Sequence, residues 1–199
     1  KTHSAEKIRA LINAGQLYIG ESYLQEALPK ISQLADLTSV RGVQWHFIGP
    51  IQSNKTKDIA ENFSWVHTID RNKIAQRLNN QRPENMPVLN VCLQVNIDGE
   101  PSKSGITIPE LPELAKNVMS LPRLKLRGLM TIPARSQNFE KQRLPFKQLR
   151  LAFEELNKNG MGLDTLSMGM SNDMEAAIAE GATIIRIGTA LFGTRPPIT

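Results

Sequence analysis

Two runs in the last third of the chain carry residue types that suit an anion. The first, Ser167-Met168-Gly169-Met170-Ser171-Asn172-Asp173, puts hydroxyls and a glycine where a strand pattern gives way to a helix pattern. A helix start offers free backbone N–H groups and a partial positive charge; glycine lets a ligand approach the backbone, and serine adds a hydroxyl donor. The second, Arg186-Ile187-Gly188-Thr189-Ala190, ends the next strand with another glycine and another hydroxyl. Taken singly, Ser171 or Asp173 would do no more than cap a helix, and Gly188 would only relieve crowding. On neighbouring strands, the two turns can clamp one phosphate between them.

Elements that could hold those turns alternate along the whole chain. Ser4 suits an N-cap, with Ile8, Leu11 and Ile12 on one helical face before Gly15. Further helices are predicted at 23–35 (with Pro29 inside), 55–63, around 74–78, around 110–119, 146–158 and 173–180. Strands are predicted at 17–20, 45–49, 65–69, 88–97, 126–132, 165–169 and 183–188. Such alternation implies βα units around a parallel sheet. Seven strands fall one short of a TIM (β/α)8 barrel. Lys1 directly precedes a helix pattern, so the expectation is that it ends a first strand truncated or missing upstream. Residues 1–199 are then a single barrel domain whose N-terminal part is incomplete. An open doubly wound sheet is the structural alternative, but no Gly-x-Gly-x-x-Gly or Walker-type loop supports it. In a barrel, phosphate is often held after the last two strands, where both runs fall.

Composition narrows the partners. The chain is 40% hydrophobic and 22% charged, and no apolar run approaches the roughly 20 residues of a membrane span. Cys92 is the single cysteine, which rules out an internal disulfide and leads to the expectation of a reducing, cytoplasmic compartment. The net charge is +5, yet the basic residues are scattered. Their densest cluster, Arg123-Leu124-Lys125-Leu126-Arg127, alternates as a strand with one apolar face does and lacks stacking aromatics. No nucleic-acid role is expected; the mild positive balance suits a small phosphorylated ligand. His3 and His67 lack a His/Cys/Asp constellation, so no metal site is expected.

Several longer runs are specific. They are Ile19-Gly20-Glu21-Ser22-Tyr23-Leu24-Gln25-Glu26, Trp45-His46-Phe47-Ile48-Gly49-Pro50-Ile51-Gln52-Ser53-Asn54-Lys55, Ser102-Lys103-Ser104-Gly105, Arg127-Gly128-Leu129-Met130, Ser167 to Met174, and Arg186-Ile187-Gly188-Thr189. Over nearly its whole length the chain resembles the YggS/PROSC family of pyridoxal phosphate homeostasis proteins, which share an alanine racemase-like barrel. The resemblance implies pyridoxal 5'-phosphate as cofactor and Lys1, before Thr2, as its Schiff-base lysine. Lys103 ranks second as the amine. It also implies that Arg186 faces the pyridine nitrogen; a salt bridge across the barrel to Glu21 or Asp173 is the alternative. A guanidinium only donates, so it would leave that nitrogen unprotonated and weaken the ring as an electron sink.

The expected cofactor-binding set is Lys1, His46, Ser167, Met168, Ser171, Arg186, Gly188 and Thr189. His46 can equally be a satisfied core residue, and Met130, Met168 and Met170 are pocket wall or core. Ser22 stands where the family commonly has asparagine. Tyr18 and Tyr23 are expected to pack rather than to act as a second base. The implied function is cofactor homeostasis or delivery without robust catalysis, to apo-enzymes that receive the cofactor, by a monomer. The alternative is a pyridoxal phosphate-dependent amino-acid racemase-like enzyme.

Overall fold

The computed structural model describes residues 3–100 and 103–193. The strands are β1 (Tyr18–Glu21), β2 (Gln44–Phe47), β3 (Trp65–Ile69), β4 (Leu89–Gln94), β5 (Leu124–Met130), β6 (Thr165–Met170) and β7 (Ile184–Arg186). All seven expected strands form, in one parallel sheet whose spatial order is the chain order β1 to β7. A doubly wound sheet reverses its strand order at a switch point, so this monotonic order excludes it and leaves the (β/α) barrel. Curling of the sheet is shown by contacts across its interior. The His67 side chain of β3 reaches Ser167 of β6 at 2.7 Å, and Arg186 of β7 reaches the Thr131 carbonyl just past β5 at 2.8 Å. Beside the cavity, the His3 ring stacks on Phe192 at 3.9 Å, joining the two ends of the described chain. The barrel is nearly closed.

Helix α1 (Ala5–Asn13) precedes β1, and its Ser4 cap accepts from the Lys7 N–H at 3.5 Å. Between β1 and β2 lie α2 (Leu24–Gln33) and α3 (Ala35–Arg41), where one helix over 23–35 is expected. The break falls at Leu34, not at Pro29; Leu34 is wholly buried and is at once the C-cap of α2 and the N-cap of α3. Helices α4 (Thr56–Asn62), α5 (Asn72–Gln81) and α6 (Leu111–Met119) follow β2, β3 and β4. Helix α7 (Phe139–Lys158) starts well before the expected 146, capped by Asn138, with Pro145 inside it. Helices α8 (Met174–Ala179) and α9 (Thr189–Phe192) follow β6 and β7, the last one unexpected.

Two apolar regions result. The larger lies between sheet and helices, where Ile59, Leu78, Leu93, Leu129 and Phe146 are fully buried. Removing such surface from water is the main stabilising term of the fold. The smaller, Trp65, Cys92 and Met130, lies inside the barrel. Gly128 lets β5 and β6 approach there: a Cβ on it would lie 1.7 Å from the Thr165 carbonyl oxygen.

Candidate functional site

The strand ends surround a cavity of about 2300 Å³ that continues into the barrel. Its floor is at the N-terminal ends of the strands. There Arg127 binds both carboxylate oxygens of Asp164, donates to Asn90 at 2.9 Å and lies 4.8 Å above the Trp65 ring. Polar closure at that end serves the fold, and chemistry in such barrels belongs at the other end.

At the C-terminal end, the turn after β6 meets the turn after β7. Asp173 Oδ1 accepts from the Met170 N–H at 2.6 Å, which shapes the first turn. Ser171 Oγ accepts from the Ala190 N–H at 3.1 Å, tying that turn to the start of α9. Gly169, at φ +92°, permits the geometry, and a Cβ on it would lie 2.6 Å from Ala177 Cβ. Ser171, Arg186, Gly188 and Thr189 all line the cavity. Ser171, Gly188 and Thr189 bring hydroxyls and backbone N–H groups of the kind a phosphate takes, with the Arg186 guanidinium beneath them.

Below this rim runs a buried hydrogen-bonded chain. Arg186 donates to Ser167 Oγ (2.8 Å) and to the Thr131 carbonyl (2.8 Å). Ser167 Oγ lies 2.7 Å from His67 Nδ1, and His67 Nε2 lies 2.9 Å from His46 Nδ1. His46 stacks on Trp65 with centroids 5.3 Å apart, and its Nε2 has no partner among the described residues. Burial brings the His46 pKa down to about 4. Burial first, then the neighbouring His46 and Arg186, pushes His67 well below its ordinary value. Both rings are therefore neutral at pH 7. Burial lowers Arg186 to about 10, which leaves it charged at neutral pH. No carboxylate among the described residues lies within ion-pair distance of Arg186. Glu21 is held by Lys30 at 2.6 Å instead, so the salt bridge weighed as the alternative for Arg186 does not form.

Not every expected residue reaches the cavity. The fully buried Met168 side chain packs in the core between sheet and helices, because it alternates with the inward-facing Ser167. Ser167 is wholly buried beneath the rim and touches Arg186 rather than lining the upper turn. Lys1 lies outside the described residues. Lys103 lines the cavity, paired with Asp98 at 2.7 Å and Glu100 at 3.5 Å. Tyr18 and Tyr23, expected to pack, are 61% and 55% exposed and line the cavity, Tyr18 at the N-terminal end of β1 and Tyr23 just past its C-terminal end. Sequence reasoning missed His67 and the Thr131 carbonyl. No local signal marked them; only the sheet register, in which His46 pairs with Trp65, shows that His67, two residues on, points to the same face.

The N-terminal domain of alanine racemase is the family model that this chain matches, over residues 1–196. The pyridoxal phosphate homeostasis protein of Pseudomonas aeruginosa is 58% identical over 98% of this chain and 82% of its own length. The chain belongs to the pyridoxal phosphate homeostasis family. The Escherichia coli homeostasis protein is 54% identical over 98% of this chain and 83% of its own. Among solved structures, PipY of Synechococcus elongatus with pyridoxal phosphate bound superposes with a TM-score of 0.88 at 36% identity, covering 97% of this chain and 89% of PipY. Alanine racemase of Clostridium difficile shares the fold, with a TM-score of 0.71 at 17% identity over 97% of this chain and 49% of the racemase. Among the described residues of this family member, no group of His, Cys, Asp and Glu could hold a metal ion, and no helix is long and apolar enough to cross a membrane.

Proposed function

We propose that this protein binds pyridoxal 5'-phosphate at the C-terminal face of its barrel, as a lysine Schiff base on Lys1, for cofactor homeostasis or delivery rather than sustained catalysis. The observation that carries the reading is the joined pair of turns, Ser171 to Ala190, directly above a charged and carboxylate-free Arg186. The residues fit the cofactor. Ser171, Gly188 and Thr189 offer hydroxyl and backbone donors for its phosphate, and Arg186 offers donors for its ring nitrogen. Bound, the cofactor supplies an aldehyde for amines and a ring that can draw electrons from them. Arg186 can only donate, so it would hold the ring nitrogen unprotonated and weaken that pull. Support for the ligand comes from PipY with pyridoxal phosphate bound and from the homeostasis proteins of Pseudomonas and Escherichia. The exposed Tyr23, just past the C-terminal end of β1, no longer argues against catalysis, so the preference for carriage rests on Arg186.

Titration of the purified protein with pyridoxal phosphate tests this. The expected result is a saturable visible band, with alanine and serine racemised at no more than background rates. Absence of a saturable band would contradict cofactor binding; racemisation at turnover rates would favour the racemase-like alternative.

A further inference from the structure

We propose that His67 is a positioning residue: by holding Ser167, it fixes the plane in which Arg186 presents its guanidinium to the ligand at the strand ends. The identity of that ligand rests on the pyridoxal phosphate reading above; the geometry does not. The Arg186 guanidinium is anchored at its two terminal nitrogens. One anchor, the Thr131 carbonyl, belongs to a backbone that is itself fixed, since the Thr131 N–H donates to the Ser167 carbonyl and its hydroxyl donates to the Val95 carbonyl. The other anchor is the Ser167 hydroxyl, which can rotate unless something holds it. His67 Nδ1, at 2.7 Å, is the group that does.

Proton counting gives the chain a direction. Arginine has no acceptor, so Ser167 Oγ accepts from Arg186 and has one proton left to give. Among its hydrogen-bonding neighbours in the described structure, only His67 Nδ1 can take that proton. His67 is then protonated on Nε2 and donates to His46 Nδ1, which places the His46 proton on Nε2. This polarity leaves one buried group unpaired, the His46 Nε2–H; the opposite polarity leaves two, the Ser167 hydroxyl proton and the His46 Nε2 lone pair, which is costlier. A histidinium at His67 would stand next to the charged Arg186 and could no longer accept from Ser167.

The experiment combines two readouts. In the protein without added cofactor, ¹⁵N NMR should show His67 neutral and protonated on Nε2, and His67→Phe should move the Arg186 Nε–H resonance as Ser167→Ala does. With pyridoxal phosphate added, His67→Phe and Ser167→Ala should each shift the visible band and weaken binding about tenfold, equivalent to about 1.4 kcal/mol. The double variant should be no worse than either single one, because both remove the same link. His67→Asn, whose side-chain oxygen can replace Nδ1 as acceptor, should stay within about threefold of the parent and keeps the test open if His67→Phe folds poorly. An Nδ1-protonated His67, additive losses, or an unmoved Arg186 resonance in His67→Phe would each overturn the proposal. Failure of the parent to bind the cofactor would count against the ligand reading alone, since the resonance measurements need no cofactor.

Discussion

Ser171 Oγ accepts the Ala190 N–H at 3.1 Å, so one hydroxyl joins the turn after β6 to the first turn of α9. The two turns thus form one joined rim of donors over Arg186. Ser171→Ala should therefore weaken the binding of pyridoxal phosphate about tenfold, the order of one lost hydrogen bond to a charged group. Pyridoxal, which lacks the phosphate, should bind the variant and the parent alike. Paired titrations with the two ligands check this, and equal losses for both would contradict a phosphate role for the rim.

Gly169 carries the backbone of that rim. Its φ of +92° is disfavoured for a side-chain-bearing residue, and an added methyl would meet Ala177 Cβ at 2.6 Å. Gly169→Ala should cost about 2–4 kcal/mol, from left-handed strain plus overpacking. For a domain of this size that corresponds to a drop of roughly 4–16 °C in melting temperature, measurable by calorimetry.

The two buried histidines predict a pH dependence of stability. Both are held neutral in the folded barrel, His46 with a pKa of about 4 and His67 well below its ordinary value, whereas the unfolded chain titrates them near ~6.5. A depressed folded pKa means that the unfolded state binds more protons below ~6.5. Stability is therefore complete above that pH and falls as the pH drops toward 4, by up to about 1.4 kcal/mol per pH unit for each histidine. Denaturant midpoints measured between pH 7 and pH 4 should show this slope, and His46→Asn, which keeps an acceptor near Nδ1, should flatten it.

Much of this was legible in the sequence. The strand patterns and the glycine–hydroxyl turns are local signals, and all seven strands and both turns lie where those signals put them. Helix ends were harder. Prolines at 29 and 145 sit inside helices because the surrounding apolar faces are buried against the sheet, and that burial outweighs the lost backbone bond. Met168 and Ser167 show what local pattern leaves open. Adjacent residues on one strand face opposite sides, and only the closed sheet decides which side is cavity. His67 gave no signal because its partners, Ser167 and His46, are distant in sequence and meet only across the barrel.

Borohydride reduction of the loaded protein, followed by peptide mapping, tests the proposed attachment of the cofactor to Lys1 most directly. The expected result is a single reduced adduct on Lys1, lost in Lys1→Ala. An adduct confined to Lys103, or no adduct on a protein that has taken up the cofactor, would contradict it.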